Sequence, residues 1–275
     1  MDAPAPVAFV SHGAPSLALD AGDPTHEFLK GFGRALGQPR AVLCISAHWD
    51  TAAPALTAGD GPATIHDFFG FPEPLYALRY PAPGAPWLAL RVRELLAAAG
   101  VDAHLDLRRG LDHGAWVPLM LMYPAADVPV VQLSVQTRRS AAEHLALGAA
   151  LAPLAAEGVL VLGSGGATHA LGEAFALQRA AHRADPGAPT PAWATRFDAW
   201  LRDVLLRGDR AALARWQAAP EAARNHPTPE HFLPLLVAAG AGSGVASPVH
   251  SGFDWSVLSM AAYRWPSQGA ADAAR

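Results

Sequence analysis

The chain has 275 residues, of which 51% are hydrophobic and 16% are charged, so it is long and apolar enough to bury a full globular core. Its formal net charge of −4 argues against nucleic acid or an anionic membrane as a partner. Cys44 is the single cysteine, which excludes an internal disulfide and a cysteine-rich zinc site.

The sequence contains no feature typical of a membrane-spanning or secreted chain. No run of about 18 consecutive apolar residues occurs. The first residues lack a basic segment followed by a long apolar one. We therefore expect a cytoplasmic protein without a membrane-spanning segment.

Hydrophobic periodicity, interrupted by Gly and Pro, predicts strands alternating with helices up to about residue 165 and mostly helices beyond it. In chain order the predicted elements are strand 4–11, helix 24–36, strand 41–46, helix 86–99, strand 101–107, helix 114–122, strand 128–135, helix 141–156, strand 159–162, helices 191–206, 210–218 and 229–239, and strand 257–265. This order predicts an α/β fold, a single domain over residues 1–275 with a central, largely parallel mixed β-sheet flanked by helices.

Residues 64–83 differ in composition from the segments around them. They contain four prolines, three phenylalanines and two tyrosines, with neither a helical nor a strand period. We predict an ordered loop whose aromatic side chains wall a pocket, the alternative being a loop that covers ordinary core. His66 and Arg79 lie on this loop, as candidates to contact a substrate and a substrate carboxylate, respectively.

Three of the predicted strands lead into a histidine. His12 follows strand 4–11, His48 follows strand 41–46, and His169 ends the Gly-rich turn after strand 159–162. Ligands of open α/β sheets bind at the carboxyl ends of the strands. The sequence therefore predicts that these three imidazoles meet at one edge of the sheet.

A further ligand is predicted near residue 230. Thr228 and Pro229 have the residue types of a helix N-cap and first helical position, which would place Glu230 and His231 in a rigid first turn. Either of these two side chains could serve as a third metal ligand, although an acidic residue is also favoured there by the helix dipole alone.

His113 lies at a predicted loop-to-helix junction beside Trp116. The preceding Asp112 either fixes the tautomer of His113 or caps the helix. His226 is left unassigned, and the remaining histidines stand in ordinary contexts and are predicted to be structural or exposed: His26, His104, His144, His182 and His250.

Three imidazoles, or two with a carboxylate, leave coordination positions open on a metal ion. Such a set suits Zn²⁺ that activates water for hydrolysis, or Fe²⁺ that activates O₂. The sequence contains neither the phosphate-binding patterns GxxxxGK[ST] and GxGxxG nor the GxSxG pattern of serine hydrolases. The ligand types alone leave both metals open.

Five short motifs in register then point to a family. They are SHGAP at 11–15, SAHW at 46–49, TIHDFFGFP at 64–72, DHGAW at 112–116 and PTPEHFLP at 227–234. With these motifs the chain resembles, from about residue 7 to 265, the class III extradiol ring-cleavage dioxygenases, and it is most similar to their 4,5-DOPA dioxygenase branch. The resemblance implies an enzyme that opens a catechol ring with both atoms of O₂ at a non-haem Fe²⁺.

The resemblance also implies roles for individual residues. It implies metal ligation by His12 and His48, with His231 as the third ligand and Glu230 as its alternative. A set of three histidines suits Zn²⁺ as readily as Fe²⁺, and zinc is a possible metal in the purified protein.

The same resemblance places His169 beside the metal, as acid/base or as a fourth ligand, and places His113 against the substrate. Candidates to wall the flat ring are Trp49, Phe68, Phe69 and Phe71. The expected partners are thus a small aromatic diol and O₂. Two alternatives remain, a zinc-dependent hydrolase and a non-catalytic relative that uses the metal site for binding; the sequence does not indicate an oligomeric state.

Overall fold

The computed structural model describes residues 5–181 and 189–266; the predicted calls on Pro4 and His182 fall outside these ranges. The described strands, numbered β1 to β10, are Val7–Ser11, Ala41–Asp50, Ala55–Thr57, His104–Asp106, Val130–Val135, Val159–Gly165, Ser247–His250, Phe253–Asp254, Leu258–Ser259 and Ala262–Trp265. The described helices, numbered α1 to α11, are Pro24–Leu36, Glu73–Ala77, Pro86–Ala98, His113–Met122, Ala141–Leu151, Pro153–Ala156, Leu171–Ala181, Ala192–Arg207, Arg210–Leu213, Ala222–Asn225 and Leu233–Ala241. Short 3₁₀ turns occur at Pro15–Ala18 and Trp216–Ala218.

Eight of the strands form one mixed sheet in the order β4-β3-β5-β2-β6-β1-β10-β7. The pairs β3–β4, β5–β2, β2–β6 and β6–β1 are parallel, whereas β3–β5, β1–β10 and β10–β7 are antiparallel. The predicted α/β fold with a largely parallel mixed sheet is confirmed. The three strands that lead into His12, His48 and His169 are direct neighbours at the centre of this sheet.

Side chains of the central strands alternate between two buried layers, as the pleat requires. Leu43 and Ile45 of β2 pack in the layer that includes residues of α3, α5 and α11. Val42 and Cys44 pack in the opposite layer, with residues of α1 and α4. Cys44 is fully buried, as the sequence predicts for an inert thiol. Both faces of the sheet are covered by helices, and His12 and His48 lie towards the carboxyl ends of their strands.

Several element boundaries differ from the predicted ones. Pro153 begins a new helix, so predicted helix 141–156 divides into α5 and α6. Predicted strand 257–265 divides into β9 and β10, and the predicted helix 210–218 into α9 and a 3₁₀ turn. Helices α2 and α7 and strand β7 lie where no element was predicted. None of the helices in the described ranges has the length and apolarity needed to cross a bilayer.

Candidate metal centre and its cavity

His12 and His48 arrive from two strands on either side of β6. His12 directly follows β1, and its backbone N–H donates to the carbonyl oxygen of Gly165 at 3.0 Å. His48 lies inside β2, which runs on to Asp50 instead of ending at residue 46. The register between β2 and β5 shifts between Ile45 and Asp50. Such irregularities re-aim side chains beside active sites, and this one lies where His48 leaves the sheet.

His231 lies in a turn before α11, so the predicted helix start at Thr228 is wrong. Helix α11 begins at Leu233. The hydroxyl of Thr228 donates to the Glu230 carboxylate at 2.8 Å rather than capping the helix. The carbonyl oxygen of His231 accepts from the N–H of Gly166, the residue directly after β6, at 2.9 Å.

The ring nitrogens of His12, His48 and His231 lie within 4.8 Å of one another. Nε2 of His12 and Nε2 of His48 are 3.1 Å apart. Two nitrogens that share one metal ion at about 2.1 Å lie roughly 3.0–3.4 Å apart, depending on the bond angle. The separation of this pair therefore fits joint ligation of one ion.

Hydrogen bonds fix which ring nitrogen of two of these histidines carries its proton. The single hydroxyl proton of Ser164 goes to the carbonyl oxygen of Gly114, so the Ser164 oxygen accepts from Nδ1 of His12 at 3.1 Å. Nδ1 of His231 donates to the Glu230 carboxylate at 3.2 Å. Each ring therefore keeps an unprotonated Nε2, the state that a metal ligand needs.

Burial keeps the clustered imidazoles neutral. Burial and the neighbouring histidines lower the pKa of His12 and of His231 well below the usual histidine value. Burial, with His113 as the next cause, lowers the pKa of His48 to about 3. At neutral pH these rings are therefore uncharged, and their lone pairs are available to a cation.

His113 is held by Asp67, a residue that the sequence did not single out. The Asp67 carboxylate accepts from the backbone N–H of His113 at 2.9 Å and from its Nδ1 at 3.0 Å. Burial by itself would raise the pKa of Asp67, but hydrogen bonds from His113 outweigh it and lower that pKa to about 2. The carboxylate is thus ionised next to His113 and lies 3.7 Å from Nδ1 of His48.

Of the two roles predicted for Asp112, the structure supports the helix cap. Its carboxylate accepts from the N–H of Ala115 and from the hydroxyl of Ser46 at 2.6 Å. It also pairs with Arg109 at 3.1 Å. Asp112 therefore anchors the start of α4 to β2, while the orientation of His113 depends on Asp67.

His169 stacks on His231. The ring centroids are 3.4 Å apart and the planes differ by 7°. The backbone N–H of His169 donates to the carbonyl oxygen of Asn225, and burial lowers the pKa of its imidazole. His169, Glu230 and His231 form a second group whose ligand atoms lie within 4.8 Å of one another. His169 is therefore beside the proposed ligand set, while its role as acid/base or as fourth ligand stays a prediction.

A cavity of about 270 Å³ opens over these histidines. All five of them line it: His12, His48, His113, His169 and His231. Phe68 and Phe71 of the predicted aromatic loop line it too. The loop therefore reaches the pocket, as predicted, and these two phenylalanine side chains form part of the apolar wall.

Other predicted substrate contacts lie outside the described lining of this cavity. His66 bonds through Nε2 to the carbonyl oxygen of Leu78, and Trp49 is buried beneath the guanidinium of Arg109. Phe69 is 91% exposed. The geometry gives no support to a substrate contact by these three side chains.

The remaining described histidines have structural partners or face solvent. His26 and His144 bond to backbone carbonyl oxygens, His250 stacks on Phe28, and His104 is exposed. The unassigned His226 is buried among aromatic rings, with Nε2 bonded to the carbonyl oxygen of Ala167.

The sequence does not predict three residues of the site: Asp67, Ser164 and Asp254. Asp67 lies in the aromatic loop and Ser164 in the predicted Gly-rich turn before His169, but their partners lie 46 and 152 positions away in the sequence. Asp254 lines the cavity from a two-stranded hairpin formed by β8 and β9. No local pattern signals such contacts, because they arise only when distant segments pack together.

Comparison with known proteins identifies relatives over nearly the whole chain. Residues 6–265 match the family described as the catalytic LigB subunit of aromatic ring-opening dioxygenase. The chain is 44% identical to the 4,5-DOPA dioxygenase extradiol of Beta vulgaris, over 94% of this chain and 96% of that protein. It is 38% identical to the 4,5-DOPA dioxygenase extradiol of Escherichia coli K12, over 93% and 92% of the two chains.

A solved structure is similar over nearly the whole chain. The crystal structure of the uncharacterized protein JW3007 from Escherichia coli K12 superposes with a TM-score of 0.77 at 32% sequence identity, covering 95% of this chain and all of that one. The match of residues 6–265 spans the sheet and every candidate metal ligand. The chain therefore belongs to the family of the catalytic LigB subunit of aromatic ring-opening dioxygenases.

Proposed function

We propose that this protein is an extradiol dioxygenase that acts as a single catalytic domain and opens the ring of a catechol with O₂. The observation that carries the proposal is the meeting of three neutral histidines with His113 and His169 in one largely apolar cavity. Family membership and the relatives named as 4,5-DOPA dioxygenases support the same reaction class.

His12, His48 and His231 are proposed to hold the metal. Glu230 accepts a hydrogen bond from His231, a common partner arrangement for a metal-bound histidine, and this favours His231 over Glu230 as the third ligand. We propose Fe²⁺ as the working metal, with Zn²⁺ as a possible occupant of the purified protein, since three imidazoles suit both ions. When bound, the iron supplies the charge and the redox chemistry that bring catechol and O₂ to reaction.

His169 is proposed as the acid/base. Burial lowers its pKa, so a neutral imidazole is present at pH 7 and can accept the proton of a substrate hydroxyl. Stacking against His231 fixes the plane of the His169 ring next to the ligand set. A ring held in this position can accept the proton and return it without the diffusion of a separate acid or base to the site.

His113 is proposed to bind the substrate oxygens. Its Nδ1 and backbone N–H are both occupied by Asp67, which leaves Nε2 for the cavity. The bond to Asp67 fixes the orientation of the ring, so Nε2 is held in place to form a hydrogen bond with a hydroxyl of the bound catechol.

The test is O₂ uptake by the full chain after metal removal and anaerobic reloading with Fe²⁺, with L-DOPA and simpler catechols as substrates. We expect one O₂ consumed for each yellow ring-opened product, and no consumption by the Zn²⁺-loaded protein. A His12→Ala variant that has lost the metal serves as the inactive control.

Absence of uptake with every catechol, in a sample shown by elemental analysis to contain iron, would refute the proposal. Hydrolytic activity of the Zn²⁺-loaded protein would then identify the hydrolase alternative. Catechol binding without turnover would identify a binding protein.

A further inference from the structure

The cavity above the histidines contains few polar groups that remain free to bind a substrate. Three hydroxyls line it, and each donates to the protein itself. Ser11 donates to the carbonyl oxygen of Ala261 and Thr168 to that of Val257, at 2.9 and 2.8 Å. The hydroxyl of Ser259 donates to a carboxylate outside the cavity. Apart from the histidines, the charged side chain of the described lining is Asp254.

Asp254 is presented by the hairpin of β8 and β9. Its carboxylate oxygen Oδ1 accepts from the N–H of Trp255 at 2.8 Å, and among the described residues no other group donates to this carboxylate. Trp255 and Ser256, with φ of 47° and 63°, take left-handed conformations that are uncommon for such residues. Outliers of this kind concentrate where a fold positions a functional group, and here they turn the chain directly after Asp254.

Two aromatic rings line the same cavity as this carboxylate. Trp255 and Phe175 both line the cavity, with ring centroids 5.3 Å apart at an angle of 62°. Phe175 is 44% exposed, whereas His12 and His231 are 3% and 5% exposed. Phe175 therefore lies in the outer part of the cavity, and His12 and His231 lie at its buried end.

The electrostatic surroundings of Asp254 are negative. Burial raises the pKa of Asp254, and the nearby Asp23 and Asp20 raise it further. Within residues 5–181 and 189–266, no lysine or arginine lines the cavity. Arg79, the predicted carboxylate contact, instead donates to the carbonyl oxygens of Tyr76 and Leu78. A ligand ammonium would neutralise this site, whereas a ligand carboxylate would find no cationic partner here.

We propose that Asp254, Trp255 and Phe175 form a subsite for a protonated amine, so that the preferred substrates are catechols with a cationic side chain. A carboxylate that pairs with the ammonium and aromatic faces that attract it are the two features by which proteins recognise such groups. The inference rests on the proposed catechol dioxygenase function. It adds that the charge of the side chain determines which catechols the enzyme prefers.

The kinetic test compares three catechols of different charge on the Fe²⁺-loaded full chain. These are dopamine, which is cationic, 4-methylcatechol, which is neutral, and 3,4-dihydroxyphenylacetate, which is anionic. We expect kcat/KM to fall in that order, and the ratio of dopamine to 4-methylcatechol to drop about tenfold in Asp254→Asn, the loss typical of a hydrogen bond to a charged group.

Asp20→Asn is the matched control, because it removes a neighbouring negative charge from outside the cavity lining. The substrate ratio of this variant should stay within about twofold of wild type, since a charge in solvent is well screened. An equal drop of the substrate ratio in both variants would mean that long-range electrostatics, and not direct contact with Asp254, set the preference. That result would overturn the proposed subsite.

Binding to the Zn²⁺-loaded protein, measured by calorimetry, separates this inference from the proposed function. Tighter binding of dopamine than of 3,4-dihydroxyphenylacetate, lost in Asp254→Asn, supports the subsite even if no catechol is turned over. Turnover of all three catechols without a preference for the cation, or with a preference that Asp254→Asn leaves intact, overturns the subsite while the dioxygenase function stands.

Discussion

Four of the five site histidines have a partner on their second nitrogen or on their ring face. Ser164 accepts from His12, Glu230 accepts from His231, and Asp67 accepts from His113. His169 is placed by stacking on His231. These partners set tautomer and ring orientation, and the proposed roles of the histidines depend on both.

Replacing His169 with Ala should separate metal binding from turnover. We expect the variant to keep its metal, because the three proposed ligands remain, and to lose turnover by about 10²- to 10⁴-fold with the acid/base group. Elemental analysis and O₂ uptake measure the two quantities. His104→Ala, at an exposed histidine, should match wild type in both; full activity of the His169 variant would remove its acid/base role.

Asp67→Asn should impair catalysis through His113. The amide no longer supplies a negative charge to His113, and it would bond to Nδ1 in a different tautomer. We expect kcat to fall about 10- to 100-fold, as for other partners of site histidines, with nearly normal metal content. Asp60→Asn, at an exposed carboxylate, is the control. Unchanged kcat would show that His113 keeps its role without Asp67.

At the scale of elements, the site depends on close backbone packing around β6 and α4. A side chain at Gly165 would come within 2.2 Å of the carbonyl oxygen of His231, so the turn bearing His231 rests directly on β6. The start of α4 is equally tight. A Cβ at Gly114 would lie 2.5 Å from the hydroxyl of Ser46 and 2.9 Å from Cδ2 of His48.

Gly114→Ala should therefore displace His48. We expect metal affinity to fall about 10- to 100-fold and stability to fall by about 1–3 kcal/mol, the usual cost of overpacking. Competition with a chromophoric chelator and urea unfolding measure the two effects. Gly31→Ala, in α1 with no atom within 4 Å of the added Cβ, should instead raise stability by up to about 1 kcal/mol. Normal metal affinity of Gly114→Ala would contradict the close approach.

For the whole molecule, buried neutral histidines make folding sensitive to acid. His226 is fully enclosed, and burial lowers its pKa from 6.5 to about 4. Between pH 6.5 and 4, His226 is protonated in the unfolded chain but stays neutral in the folded chain. The stability that this residue contributes is therefore lost as the pH falls from 6.5 towards 4. The full loss is about 3 kcal/mol.

His226→Gln should flatten this pH dependence. We expect the difference in unfolding free energy between wild type and variant to shrink by about 2 kcal/mol from pH 7.5 to 5.0. Urea unfolding of both metal-free proteins measures it, and the contributions of the other histidines cancel in the difference. Parallel pH profiles would mean that His226 does not account for the acid sensitivity.

Local sequence determined the strands, most helices and the histidines that converge. Apolar runs such as 41–46 and 159–162 form buried strands in an α/β fold. The parallel arrangement of these strands then brings His12, His48 and His169 to one edge of the sheet. The caps Asp23 and Asp112 likewise depend on neighbours in the chain. These features follow from interactions over a few residues, which a sequence displays directly.

Only the tertiary structure decided how the site is completed. Helix α11 starts at Leu233 rather than near Thr228, with the carbonyl oxygen of His231 bonded to Gly166, and the partner of His113 is Asp67 rather than the adjacent Asp112. The hairpin that carries Asp254 reaches the cavity only through packing. Such contacts join residues tens to hundreds of positions apart, and their energies depend on burial and distance, which no local pattern encodes.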